Sequence, residues 1–387
     1  NVGNPVQDAL EAKNRNTSFR TLANAFLEYM PIKDLTFKTS IGVDYFYIKD
    51  QSFGAGELKR AESNGGYANI GNRDGYNWVW ENTINYNQTF GDHTLGVLGG
   101  MTAQAFVSEN SSVSTADFED GFLGFNSIQS GALRQAANSG IAEWQMLSYL
   151  ARINYGYKGR YLLTLTGRVD GSSKFGKGNK YGFFPSVAGA WRISEENFMK
   201  EMKAVSNLKL RASYGIVGNQ NGIGNYTTLG LADNKGYEFG DTFQMGYLPG
   251  KELSNPNLKW EQSATANLGV DFSFFNGRLN GTVEYYNTHT KDLLVERSLN
   301  ASLGYTTMLD NLGKTKSSGI DLSLNGDVVR TKEFTWTLGT NFSMYKNEIV
   351  RIDDTLDENG KPASQVAQGW IIGEPINVYY DYLVDGI

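Results

Sequence analysis

Apolar and polar residues alternate with a period of two along almost the whole chain, the spacing of strands whose two faces meet different surroundings. Between residues 35 and 47 one face carries Leu35, Phe37, Thr39, Ile41, Val43, Tyr45 and Tyr47, while Lys38, Ser40, Gly42 and Asp44 fill the other. The stretch that begins at Trp260 repeats the pattern: Trp260, Ala264, Ala266, Leu268, Val270, Phe272 and Phe274 alternate with Glu261, Ser263, Thr265, Asn267, Asp271 and Ser273. Ordinary strands run about 5 to 6 residues, whereas a tilted strand crossing a bilayer needs about 9 to 11. The same spacing predicts strands over 19–30, 35–47, 75–89, 94–107, 143–156, 161–170, 181–193, 207–217, 259–274, 279–296, 318–329, 334–347 and 377–387, about thirteen in all. The helical signal is slight: Ser194 is expected to cap a short helix through Glu195, Glu196 and Phe198.

The predicted connections alternate in length. Tight turns fall at 31–34, 91–93, 158–160, 276–278 and 331–333, with a longer member at 194–207. Long connections fall at 48–74, 108–142, 218–258, 297–317 and 348–376, with a shorter one at 171–180. Antiparallel neighbours joined in this way put the tight turns on one rim and the long loops on the other, as in outer-membrane barrels. A sandwich or a propeller gives no reason for such segregation, and no fixed repeat period is present. Aromatic rings close to these connections, among them Tyr76, Trp78, Trp80, Tyr155, Tyr157, Tyr161, Phe183, Phe184, Trp191 and Trp336, suit a headgroup zone. Arg152, Asn154, Thr164, Thr166, Arg168, Glu284, Asp321, Ser323 and Asn325 line the opposite face and suit a wet lumen. The expected fold class is all-β, an antiparallel transmembrane β-barrel.

Composition narrows this further. The 387 residues contain no Cys, 45 Gly, 22 Tyr, 21 Phe and 7 Trp, so disulfides and thiolate chemistry are excluded and an ordered chain is expected. The mean hydropathy is negative, and no apolar run approaches the roughly 18 to 20 residues of a membrane helix. A membrane barrel is still compatible, because its strands alternate. The formal charge of −6, without a basic cluster, argues against a nucleic-acid partner.

Catalytic constellations are missing. His93 and His289 lie in or beside strands and read as surface residues, and no G-x-S-x-G elbow occurs. Glu195-Glu196 and Asp353-Asp354 read as solvated turn residues, and no zinc set or cofactor is implied. The acidic stretch Asp353, Asp354, Asp357, Glu358, Asn359 and Gly360 has calcium-type oxygen ligands, but Thr355 breaks the loop pattern, so an Asn-Gly turn is expected. The Gly-rich run 218–224 lacks a Lys-Ser/Thr pair and is expected to be a flexible loop. Asp170-Gly171-Ser172-Ser173 is expected to turn with its hydroxyls on local backbone.

The segment Arg152–Gly176 closely resembles the SusC/RagA family of TonB-linked outer-membrane transporters. Similar matches follow in order: Phe184-Pro185-Ser186, Ala190-Trp191, Glu196 to Phe198, 208–215, Gly218 to Gln220, Asn255–Glu261, Asn267–Phe272, Tyr285-Tyr286, Asp292–Leu294, Asn311-Leu312-Gly313, Gly319-Ile320-Asp321 and Asp385-Gly386-Ile387. The resemblance is strongest over 142–387. It implies a barrel of about 22 strands around an N-terminal plug. On that basis residues 1–387 are expected to be part of one barrel domain, without the plug and the closing strands.

The resemblance further implies a SusD-like surface lipoprotein over the long-loop rim, a TonB-type periplasmic coupling protein, and a glycan or peptide substrate. The expected ligand-binding residues are loop aromatics: Phe118, Phe122, Phe125, Tyr237, Phe239, Phe243, Tyr247 and Trp370. No catalytic residue and no metal ligand is expected. The rival readings are a passive porin or structural barrel and a soluble carbohydrate-binding β-protein.

Overall fold

A computed structural model describes residues 5–240 and 242–378. A short helix α1 (Pro5–Glu11) is followed by β1 (Ala12–Ile32), β2 (Leu35–Gly54), β3 (Tyr67–Phe90), β4 (His93–Ala116), β5 (Leu133–Tyr157), β6 (Tyr161–Ser172), β7 (Tyr181–Arg192) and β8 (Val205–Asn219). Next come β9 (Ala232–Phe239), β10 (Thr242–Pro249), β11 (Glu252–Leu253), β12 (Glu261–Phe274), β13 (Leu279–Ser298), β14 (Thr307–Arg330) and β15 (Thr335–Arg351). The chain divides into two compact units. The first holds Asn1–Glu28, Lys38–Asn82 and Thr102–Met146; the second holds Tyr29–Phe37, Thr83–Met101 and Leu147–Ile387.

In the second unit the strand order is β6-β7-β8-β12-β13-β14, with β15 on the far side of β14. All these pairings are antiparallel, and their registers carry the period-two pattern from strand to strand. One row runs Tyr161, Trp191, Leu210, Val270, Val283, Leu322, Phe342. The adjacent row, on the other face, runs Leu162, Ala190, Arg211, Gly269, Glu284, Asp321, Ser343. A one-residue slip anywhere would put Arg211, Glu284 and Asp321 on the apolar side, so this polarity fixes the register. Many residues on the face of the apolar row, such as Leu165, Tyr214, Leu268, Tyr285 and Phe342, are exposed. In water such a surface would be an aggregation hazard; facing lipid it is favourable.

The turns at one end of these strands are tight. Lys158 and Gly159 have φ of 54 and 63, and Arg160 N–H donates to Tyr157 O at 2.9 Å, closing a two-residue hairpin between β5 and β6. Aromatic rings gather here: Phe90 stacks on His93 at 5.5 Å, His93 lies 5.0 Å from Tyr157, Tyr157 stacks on Tyr161, and Tyr161 stacks on Trp191. His93 Nδ1 shares a 2.7 Å hydrogen bond with the Tyr155 hydroxyl. These rings form an interfacial girdle of the expected kind. Ser194 caps nothing: residues 193–195 and 197–199 form two 3-10 turns, and its hydroxyl donates to Asn207 Oδ1 at 3.4 Å. Glu196 takes the structural role instead, accepting from the Tyr161 hydroxyl at 2.6 Å, Arg160 Nη1 at 3.0 Å and Trp191 Nε1 at 3.1 Å.

The first unit holds the loop-side parts of β1 to β5. Its core is Phe53, Ala68 and Phe125, with Ala55, Ile70, Phe118 and Ile128 against it. The Arg20 guanidinium grips Asp44 with two hydrogen bonds of 2.8 and 2.6 Å. Loop 117–132 is pinned to loop 55–66 through Asp117 N–H on Asn64 O and Phe118 N–H on Gly65 O.

Every expected strand that falls within the described residues is present; of the expected strand at 377–387, residues 377–378 are described and are not strand, while 379–387 lie outside the described residues, as does the Asp385-Gly386-Ile387 segment. The loops differ. Strands β3, β4 and β5 run for 24, 24 and 25 residues, so the connections expected at 48–74 and 108–142 shrink to 55–66 and 117–132. Likewise 297–317 shrinks to 299–306. The expected loop 218–258 contains a two-stranded sheet of β9 and β10. Among the described residues β1 pairs on one side only, and β15 pairs along its length with β14 and beyond it meets only a single bridge from Ile349 to Ile372, so the sheet is open at both ends.

Candidate functional site

The loop end of the second unit is built on a buried clamp. Phe175, in the connection 173–180, lies 4.8 Å from Trp260, which meets Phe184 edge-on at 5.4 Å. Phe175, Trp260 and Phe184 are all buried, as are Ile223 and Leu258. Trp260 and Phe184 were expected on the outer apolar face. Phe184 pairs in register with Arg168 on the polar side, and both rings are spent on packing. Gly176 permits the contact: a Cβ there would lie 2.1 Å from Pro256 O.

Polar groups lock the same clamp. Trp260 Nε1 donates to Lys180 O at 3.1 Å, Asn179 Nδ2 to Asn257 O at 2.9 Å, and Thr228 Oγ1 to Lys174 O at 3.1 Å. The Lys174 ammonium donates to Ile223 O at 3.1 Å, and burial pushes its pKa below the ordinary lysine value. The turn expected at Asp170-Gly171 is instead the paired end of β6, with Asp170 opposite Gly182 and Gly171 opposite Tyr181; Ser172 Oγ accepts from Lys174 N–H, as expected of the hydroxyls, and Asp170 accepts twice from Arg168 Nε. Glu261 accepts from Asn219 Nδ2 at 2.6 Å and from Leu294 N–H at 2.9 Å. Asn311 Nδ2 donates to Lys259 O and Asp292 O, and Asn255 Nδ2 to Leu309 O. The Gly-rich run expected to be flexible is therefore held at both ends, by Asn219 on Glu261 and by buried Ile223. Sequence reasoning recognised these segments as motifs without seeing that they meet.

The eight expected ligand residues do not form one cluster. Phe118 and Phe125 are packed in the core of the first unit, Phe118 edge-on to Phe53 at 5.5 Å. Phe122 is 80% exposed. Tyr237, Phe239, Phe243 and Tyr247 stand exposed on the β9–β10 hairpin, outside the main sheet. Its register puts Tyr237 and Phe239 on one face, and Phe243 and Tyr247, with Met245, on the other. Trp370 belongs to a separate turn, where its N–H donates to Gln365 O. Among the described residues no ring contact or hydrogen bond joins Trp370 to the hairpin. Three of the four carboxylates at 353–360 are taken up by neighbouring groups of the connection after β15. Asp353 accepts from Thr355 N–H and Gln365 Nε2, Asp357 accepts from Asn359 and Lys361 N–H, and Asp354 pairs with Arg351. Among the described residues no group of three or more metal-type ligands occurs.

The polar face carries a half-buried charge network. Arg211 Nε and Nη2 each donate to Asp271 at 2.9 Å, Nη2 also reaches Glu284, and Lys209 lies 3.6 Å from Asp271. Gly269 lies between, opposite both Arg211 and Glu284, and a Cβ there would approach the guanidinium to 3.0 Å. The bare backbone at this position lets Arg211 cross β12 and reach β13. Beside it Ser343 donates to Asp321, and Thr265 and Thr288 share a hydrogen bond of 2.9 Å. Such a surface is suited to water and polar solutes, and its opposite to lipid.

A polar face backing a lipid-type face, tight turns with an aromatic girdle at one end of the strands and clamped loops at the other define an outer-membrane β-barrel protein. Residues 3–380 match the family described as TonB dependent receptor-like, beta-barrel, and the chain belongs to that family. It is 32% identical over 391 residues to TonB-dependent receptor P3 of Formosa agariphila, covering 100% of this chain and 39% of that protein. It is 38% identical over 252 residues to TonB-dependent receptor SusC of Bacteroides thetaiotaomicron, covering 61% of this chain and 25% of that one. Its fold matches the structure of the RagAB peptide importer in the closed-closed state with a TM-score of 0.82 at 27% identity, covering 94% of this chain and 40% of that one. The SusC/RagA resemblance and the outer-membrane location are thereby borne out. The chain spans 39% or less of the length of these curated relatives.

Proposed function

We propose that residues 1–387 form part of the barrel of a TonB-dependent importer that carries oligomeric nutrients, glycan or peptide, across the outer membrane. The observation that carries this reading is the pair of adjacent rows in the second unit, one apolar from Tyr161 to Phe342, the other polar from Arg211 to Ser343. An open sheet would expose unpaired backbone in lipid, so β1 to β15 require further strands to close a barrel. Closing strands supplied by a longer protein meet that need, and an N-terminal plug fills the lumen they enclose. The clamped loop rim is the extracellular side in this reading, and the short turns face the periplasm.

A SusD-like lipoprotein covers the loops, and a TonB-type coupler acts on the plug. The chain binds and gates, and it contributes no covalent chemistry. The relatives named SusC and RagAB support the arrangement.

The test is uptake of labelled oligosaccharides and oligopeptides by cells with and without the intact protein, before and after a protonophore dissipates the proton-motive force. Uptake that needs the protein and collapses with the protonophore is expected. Protein-dependent uptake that survives the protonophore would assign a passive porin.

A further inference from the structure

A cavity of about 380 Å³ opens in the first unit among α1, the end of β2 and the loop 117–132. Its floor is Phe53, which is 2% exposed, and Leu10, Phe118 and Phe122 add apolar wall. The rings are fixed: Phe118 meets Phe53 edge-on at 5.5 Å, and loop 117–124 closes over Phe53 so tightly that a Cβ on Gly121 would lie 2.7 Å from its ring.

The lining is also charged. Glu11, Glu57 and Glu119 face the cavity, against one cation, Lys13, whose ammonium lies 5.8 Å over the Phe53 ring. Among the described residues none of the three glutamates makes a salt bridge. Nothing in the packing of the unit requires three carboxylates around an aromatic floor. A pocket that sets an apolar wall beside three carboxylates, in excess over its one lysine, complements a ligand that combines an ammonium or guanidinium with an apolar side chain.

We infer that this cavity is a recognition site for short basic peptides, taking an apolar side chain against the exposed Phe122 and Leu10, which stand over the sealed Phe53, and holding the neighbouring Lys or Arg side chain among Glu11, Glu57 and Glu119. The inference rests on the import reading and names the substrate class within it. Neutral glycans gain nothing from the three charges, and acidic peptides are repelled by them.

The experiment uses the intact outer-membrane protein in detergent, with fluorescently labelled Leu-Lys-Phe-Lys as probe and Leu-Glu-Phe-Glu and maltohexaose as competitors. The basic peptide is expected to bind, to weaken as salt is raised, and to resist both competitors. Combining Glu11→Gln, Glu57→Gln and Glu119→Gln is expected to lower its affinity about tenfold, the sum of three exposed ion pairs. Phe122→Ala, at an exposed position that cannot unfold the unit, is expected to weaken it as well. Binding that is absent, that survives all four substitutions, or that is competed by maltohexaose overturns the site.

The two readings fail separately. Energised uptake of glycans without binding of basic peptide removes the pocket and keeps the importer. Tight peptide binding without energised uptake does the reverse.

Discussion

Trp260 is the residue on which the loop clamp depends most. It is 5% exposed, its ring touches Phe175 at 4.8 Å and Phe184 at 5.4 Å, and its indole N–H is satisfied by Lys180 O. Burial of an aromatic side chain removes about 150 to 250 Å² from water, which at about 25 cal/mol per Å² is about 4 to 6 kcal/mol. Area sums of this kind are upper estimates, and aromatic-to-alanine changes in cores cost about 3 to 5 kcal/mol, so about 4 kcal/mol is expected for Trp260→Ala. Because the ring ties Phe175 of the loop 173–180 to Phe184 in the paired strand β7, and that loop is bonded in turn to Ile223 and Thr228, the loss falls on local opening of 173–180 and 220–231. About 4 kcal/mol multiplies the open population by about a thousand.

Lys174 provides the readout. It is buried and bonded to Ile223 O in the closed clamp, so trypsin cleaves after it only from the open state. Cleavage after Lys174 in the folded protein in detergent is expected to accelerate strongly in Trp260→Ala. Trp260→Phe keeps a ring and loses one hydrogen bond, worth about 1 kcal/mol, so it should accelerate cleavage only modestly. A Trp260→Ala protein cleaved within about twofold of the parent, or a Phe variant as labile as the Ala variant, would refute the assignment of the clamp to this ring.

Three further outcomes are expected. The Tyr161 hydroxyl first, then the Trp191 indole, with Arg160 adding, hold the Glu196 carboxyl below the usual carboxylate range. The stabilisation is complete above the unfolded value of about 4.3 and is lost as pH falls through the lower folded value, so thermal unfolding below about pH 5 should be less acid-sensitive in Glu196→Gln than in the parent; equal slopes would refute this. Gly176→Ala, whose new Cβ would meet Pro256 O at 2.1 Å, must push backbone from backbone and should lower the melting temperature and expose Lys174 to trypsin; an unchanged digest would show that the two loops do not touch. Gly269→Val, by contrast, meets the flexible end of Arg211 and should displace it from Glu284 at a cost near the ~1 kcal/mol of a surface pair, with a double-mutant cycle against Glu284→Gln showing that the coupling has gone.

The membrane part of the fold was legible because one face of each strand meets lipid. Leu208, Leu210 and Ala212 alternate with Lys209 and Arg211, and the observed register keeps that alternation. Beyond the bilayer both faces meet water or loop, and the signal disappears. Ser111 to Thr115 in β4 and Ala136 to Gly140 in β5 read as loop although they are strand. The β9–β10 hairpin was hidden for a different reason: each strand is only eight residues long, and although Phe243, Met245 and Tyr247 alternate with Thr242, Gln244 and Gly246, this is shorter than the membrane-crossing stretches that carry the period-two signal. The clamp was illegible because its parts are distant in sequence, with Phe175 and Trp260 brought together only by the pairing of β7, β8 and β12.

The loop end thus separates into parts that are spent and parts that are free. Phe175, Trp260, Phe118 and Phe125 have their rings packed inward, so substituting them tests stability before recognition. The hairpin is different. Its base is tied down where Gly250 N–H donates to Leu231 O, Thr306 N–H donates to Lys251 O, and β11 pairs in parallel with the start of β14. Beyond that base its rings are more than half exposed on both faces, Tyr247 at 76%. Phe243 lies over Gly236, and Tyr237 over Gly246, so the rings already cover the bare backbone across the strand and still show most of their area. One rigid surface covers only one face of a two-stranded ribbon, so full burial of these rings requires contact from both sides. Under the proposed import reading a surface lipoprotein on one face and substrate on the other meet that requirement, so Phe243→Ala and Tyr237→Ala are expected to weaken different partners, read by copurification of the lipoprotein and by substrate binding; loss of the same partner in both variants would refute this.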